Sequence, residues 1–142
     1  MAGECYITTV KDFPNVSGMK RIEYVYETKK WGFGYGARGL TNLKEGDKIC
    51  FYLPSTKSVV LHAIIASRPK SALPPKKWEI NNINGLDYYN TEVELINVKY
   101  VNPAVRIPDV KEKLGLKEKW GNYVIQTHRV DPAEFNILIG LE

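Results

Sequence analysis

Trp31 to Pro54 reads WGFGYGARGLTNLKEGDKICFYLP, and the fold class turns on this run. Trp31, Phe33 and Tyr35 alternate with Gly32, Gly34 and Gly36, so an extended backbone carries three rings on one side and nothing bulky on the other. Such a strip serves either as a platform for flat ligands or as a strand packed on a core. Lys29, Lys30 and Arg38 flank it. Rings edged by cations suit nucleic acid, because bases stack on rings while phosphates pair with Lys and Arg. Downstream, Lys44-Glu45-Gly46-Asp47 is a turn signal that leads into an apolar strand, Lys48 to Leu53. After Pro54-Ser55-Thr56 the run Val59 to Ala66 reads as the return strand, and the two are expected to pair as an antiparallel hairpin.

Outward from this hairpin, strands and short helices alternate. Cys5 to Val10 reads as a first strand, and Met19, Ile22, Val25 and Tyr26 recur near helical spacing within Pro14 to Glu27. Ser67 to Leu86 contains Pro69, Pro74, Pro75 and Gly85 with little periodicity, so it reads as a long surface loop with Trp78 in its middle. Thr91 to Val101 alternates through Val93 and Leu95, then through either Ile96 or Val98 to Tyr100, which predicts a strand with one bulge. Pro108 to Leu114 predicts a short helix ended by Gly115, and Tyr123 to Thr127 a further strand. A last helix opens at Asp131, with Pro132 at its first position and Glu134 completing a capping box. About six strands with interspersed short helices argue for a curled or closed antiparallel sheet of α+β class.

At 142 residues the chain suits one domain, and with 44% hydrophobic and 25% charged residues it has a globular composition. No apolar run approaches the roughly 20 residues of a membrane helix, and no secretory signal opens the chain, so a soluble, cytoplasmic protein is expected. The formal charge of +4 leans toward acidic partners and serves solubility equally. Cys5 and Cys50 lack metal-type spacing, so neither zinc nor a disulfide framework is expected, and no cofactor. No phosphate loop, GxSxG elbow or HExxH motif is present. His62 lies in an apolar strand and reads as a core residue, and the carboxylates Glu45, Asp47, Glu92 and Glu94 fall on turns and strand exteriors. Catalysis is therefore not expected. A small-molecule-binding protein and a protein-interaction module stay open beside nucleic-acid binding.

Taken in order, the aromatic first strand, the helix, Trp31-Gly32, the Gly46-Asp47-Lys48 turn, the strand Ile49-Cys50-Phe51-Tyr52-Leu53, the apolar return, the proline-rich segment and the capped terminal helix resemble the EVE family. That family belongs to the PUA-like group and is related to YTH domains. The resemblance runs from about Cys5 to Ile139 and implies a single EVE-type domain over residues 1–142, a small curled β-barrel with peripheral short helices. It also implies a pocket that accepts a flipped, methylated or otherwise modified base of DNA or RNA. On this resemblance Trp31 is one wall of an aromatic cage and Gly32 lets the backbone approach the base edge, while Thr8 and Thr9 reach the same pocket. Trp78 is the second wall, with Tyr88 and Tyr89 competing for that place, and Tyr35 belongs to the ring strip. Arg129 with His128 would hold a phosphate ahead of the last helix, and Lys30, Arg38, Lys76 and Lys77 would track the backbone. Each tryptophan follows a lysine, in Lys30-Trp31, Lys77-Trp78 and Lys119-Trp120, although Trp120 at its turn reads as structural. The glycine-rich WGFGYGARG is more open than the polar segment of many members, so the identity of the base does not carry over. Such a domain acts alone or as the recognition part beside an effector protein.

Overall fold

The apolar runs on either side of Pro54-Ser55-Thr56 do pair antiparallel, from Lys48 against Ile64 to Leu53 against Ser58. The computed structural model that shows this describes residues 3–12, 17–33, 43–77, 88–116 and 127–141. In chain order the elements are β1 (Cys5–Thr9), α1 (Gly18–Thr28), β2 (Lys30–Phe33), β3 (Lys48–Leu53), β4 (Ser58–Ile65), β5 (Lys70–Lys77), β6 (Tyr88–Arg106), α2 (Ile107–Val110), β7 (His128–Val130) and α3 (Pro132–Leu138). The strands form one seven-stranded sheet in the order β2-β6-β4-β3-β1-β7, with β5 added to β6.

The sheet differs from the sequence expectation in three features. The sheet is mixed, because β1 runs parallel to β3, with Thr8 beside Phe51 and Thr9 beside Tyr52. It also stays open among the described residues: β2 and β7 each have a neighbour on one side only, so these strands do not close a barrel. These two strands are short, at 4 and 3 residues, which leaves little ladder for closure. Thirdly, part of the expected proline-rich loop is a strand. β5 pairs with β6 at Lys70 and Ser71 and again at Lys76 and Lys77, and its register shifts in between, where Pro74 and Pro75 lie. Proline has no N–H for a ladder, and an irregularity is where a sheet tolerates it.

β6 changes partners along its length. Its first part lies between β2 and β5, whereas Leu95 to Arg106 follow β4. Just after the change, the register with β4 shifts between Ile96 and Lys99, around Asn97, a left-handed residue with φ 52°. This is the expected bulge, and it resolves the choice left open in the sequence: Val98 is buried, whereas Ile96 is 51% exposed.

Strand alternation then divides the apolar residues between two cores. Tyr6, Val10, Ile49, Phe51 and Leu61 face α1, where Ile22 and Val25 meet them. Cys5, Ile7, Cys50, Tyr52 and Val59 face the other way, against Phe135 and Leu138 of α3. β1 and β3 are covered on both faces, so they read as near-continuous apolar runs. Each large side chain so buried contributes about 1.5–3 kcal/mol.

The helix ends follow local chemistry. Helix α1 starts later than the spacing suggested, at Ser17, whose hydroxyl accepts from the Lys20 amide at 3.1 Å. Gly18 is needed there: a Cβ would meet Leu53 Cδ1 at 2.5 Å and the Val10 carbonyl at 2.8 Å. Helix α3 has the expected capping box, in which the Glu134 carboxylate accepts from the Asp131 amide at 3.0 Å. Helix α2 is shorter than expected and passes into a turn that reaches Gly115, with φ 71°.

Candidate nucleic-acid interface

Trp31 is positioned by the way α1 stops. Lys29 adopts a left-handed conformation with φ 60°, its amide donates to the Val25 carbonyl at 2.9 Å, and the chain leaves the helix directly into β2. The Leu95 amide donates to the Lys29 carbonyl at 2.8 Å, and Trp31 then stands opposite Val93. From there the indole points into the α1 core and is 3% exposed. Phe51 meets it edge-on, with centroids 5.2 Å apart and planes at 71°. The Arg21 guanidinium carbon lies 5.5 Å from the ring centroid, a cation–π contact worth about 0.5–2 kcal/mol. Arg21 is itself buried, and its Nη1 donates to the Lys11 carbonyl at 2.8 Å.

Thr8 joins this group from β1. It is 2% exposed, stands beside Phe51 in the parallel ladder, and its hydroxyl shares a 2.5 Å hydrogen bond with the hydroxyl of Thr127. Thr127 was not foreseen, because nothing in its neighbourhood marks it; only the pairing of β7 with β1 brings it there. Thr9 is half-buried beside Tyr52 and, by alternation, faces α3 and not Trp31. Gly32 follows Trp31 in β2, buried opposite Glu92.

The proposed phosphate contacts fall in two places. His128, half-buried, and Arg129 continue from Thr127 along β1, opposite Ile7 and Tyr6. Arg129 is 66% exposed, and its Nη1 lies 3.4 Å from Glu4 Oε2, a surface pair of little energetic weight. Lys30 lies on the outer row of the sheet, its Nζ 3.8 Å from the Glu92 carboxylate. Beside them Lys70 pairs with Glu94. This row therefore compensates Lys30 locally. Glu92 is 5% exposed and not on the strand exterior expected of it. Lys76 and Lys77 lie in β5 opposite Tyr89 and Tyr88. Tyr35, Arg38 and Trp78 lie outside the described residues.

Asp47 is fully buried and accepts from the amides of Glu4 at 2.9 Å and Lys44 at 3.0 Å, which fixes the turn into β3. Both cysteines are buried, and burial raises both thiol pKa values, that of Cys50 the further. Among the described residues no group of three or more His, Cys, Asp and Glu side chains could hold a metal. No helix among them is long and apolar enough to cross a membrane.

No protein-family profile and no curated protein matches the sequence. Solved structures do match along almost the whole chain. Atu2648 from Agrobacterium tumefaciens is 14% identical, with 98% of this chain and 92% of that one covered and a TM-score of 0.61. Rpa0253 from Rhodopseudomonas palustris is 13% identical, with 97% and 92% covered and a TM-score of 0.60. The Mmi1 YTH domain is 11% identical, with 98% and 94% covered and a TM-score of 0.56. The chain has a YTH-like fold. At such identity the likeness extends to the backbone arrangement, and the roles of side chains have to be argued from the site.

Proposed function

We propose that the chain is a nucleic-acid-binding module of the EVE and PUA-like kind that receives a flipped base, methylated or otherwise modified, beside Trp31. The observation that carries this reading is the meeting of Trp31, Phe51, Thr8 and Thr127 on one face of the sheet. A base needs a stacking surface and edge contacts, and two rings with a hydroxyl pair on the same face of the sheet are side chains of those two kinds. The YTH-like fold supports the reading, and so does the +4 charge. In this account Trp31 is a fixed wall and Gly32 the close-approach backbone, with Trp78, Tyr88 or Tyr89 as the second wall. Because Trp31 is 3% exposed, a base reaches it only in a conformation that uncovers the ring, so binding is coupled to opening. His128, Arg129, Lys76, Lys77 and Arg38 then take the phosphates, and an effector protein would act on what is bound.

The test is a panel of single- and double-stranded oligonucleotides, each with matched methylated and unmethylated bases. Single strands with a modified base should bind most tightly, and log affinity should fall linearly with log salt. Absence of binding at low salt contradicts the module, and equal affinity for modified and unmodified bases contradicts the pocket. The alternative of a small-molecule protein draws on a different part of the sheet, the cleft beneath α3.

A further inference from the structure

On the face of the sheet opposite Trp31 there is a cleft of about 190 Å³ between α3 and the strands β3, β4 and β6. Each strand gives it one basic side chain: Lys48, His62 and Lys99. His62 and Lys99 are register partners, and Lys48 stands opposite Ile64, two residues further along β4 on the same face. Alternation puts them there, since Ile49, Leu61, Ala63 and Val98 turn into the α1 core. Asn97 at its left-handed bulge and Asn136 from α3 add two amides.

Among the described residues the charge of this cleft is not balanced from within. Lys48 and Lys99 come from the strands on either side of β4, and their like charges repel. Among the described residues no carboxylate pairs with either lysine, and no acidic side chain lines the cleft. His62, half-buried between them, is held below the ordinary imidazole range by burial, with Lys99 and then Lys48 adding to the effect. At neutral pH it offers one N–H donor without a third charge. The far wall is apolar, formed by Ile139 and by Leu141, which is 73% exposed. The cleft is smaller than the roughly 300–1,000 Å³ that encloses a drug-sized ligand, so it suits an anionic head with a short apolar portion.

We propose that this cleft binds a small organic phosphate monoester, with the phosphoryl group between Lys48, His62 and Lys99 and its organic part against Ile139 and Leu141. A phosphate monoester carries about −1.5 to −2 at pH 7, which matches two lysine charges, and its oxygens accept from ammonium, imidazole and amide N–H groups together. The inference does not rest on base reading at Trp31, which lies on the other face.

The same chemistry occurs in a free metabolite-sized phosphate and at the 5′-phosphate of a strand, so the test carries both arms. Amide NMR spectra of the whole chain are recorded during titration with n-butyl phosphate, inorganic phosphate and n-butanol. Saturable shifts are expected at Lys48, His62, Asn97, Lys99 and Asn136, with butyl phosphate bound more tightly than either of its parts. The double variant Lys48→Ala, Lys99→Ala should weaken it by about tenfold or more while keeping the parent's melting midpoint, which separates a lost site from a lost fold. The His62 imidazole, faced by Lys48 and Lys99, should titrate at higher pH with butyl phosphate bound, because a dianion favours the imidazolium. A 5′-phosphorylated trinucleotide that binds there more tightly than butyl phosphate identifies a strand end as the source, and the reverse order identifies a free phosphate. Non-saturating shifts spread over lysines elsewhere, or unchanged affinity in the double variant, would overturn the proposal.

Discussion

The two faces of the central sheet are built from the same strands and behave as different materials. On the α1 face the polar groups are sealed: Thr8 at 2% exposure, bonded to Thr127, and Trp31 at 3%, braced by Phe51 and the buried Arg21. On the α3 face, Lys48 and Lys99 are exposed around a cleft, with half-buried His62 between them. The difference comes from one residue of offset. Ile49 and Lys48, or Val98 and Lys99, are neighbours in sequence and point to opposite sides. Interactions on the sealed face are coupled to folding, whereas those on the open face can change without disturbing it.

The largest effect that can break this contrast lies at Trp31. Trp31→Ala removes a ring packed in the core, and its free energy of unfolding in denaturant should drop by about 3–5 kcal/mol. A variant as stable as the parent would mean that the ring is a dispensable wall and not part of the core. Thr8→Val comes next. It keeps the shape of the side chain and leaves the Thr127 hydroxyl without its partner, and a loss of about 1–3 kcal/mol is expected from the same measurement. Near-parent stability would show that water replaces the bond.

His62 sharpens the comparison through pH. Its native pKa lies below the ordinary value of 6.5, chiefly from burial, so the unfolded chain takes up the proton first as pH falls. Its contribution to stability is complete above about 6.5 and declines between there and the lowered native value. Unfolding at pH 7.5 and at pH 5.5 should therefore show a smaller decline in His62→Gln than in the parent. An identical decline in both would place the imidazole in a more open setting. The smallest effect is expected on the open face, where Lys48→Ala with Lys99→Ala should change stability by less than about 0.5 kcal/mol. A large loss would reveal a structural role for these lysines.

What could be read from the sequence was local. The β3–β4 hairpin announces itself by its turn, and α3 by Asp131, Pro132 and Glu134, because those signals act over a few residues. Partners distant in the chain left no such mark. Nothing near Cys5 says that it lies parallel to Lys48, and nothing near Thr127 says that it meets Thr8 across 119 positions. Pro74 and Pro75 spoke against a strand, and only the pairing with β6 overrides them. At Trp31 the alternation of rings and glycines fitted a platform and a core equally; contact with Phe51, itself distant in sequence, places the indole in the core. The cleft was invisible for the same reason: it needs the register of three strands at once, and Lys48, His62 and Lys99 are unremarkable one at a time.

Whether nucleic acid is received on the α1 face is decided by amide and indole NMR shifts during titration with a single-stranded oligonucleotide carrying a methylated base. Saturable changes are expected at Thr8, Trp31 with its indole N–H, Gly32 and Thr127 to Arg129, while His62 and Lys99 across the sheet stay unmoved. Shifts confined to the α3 face, or none at Trp31 and Thr8 under saturating oligonucleotide, would contradict it.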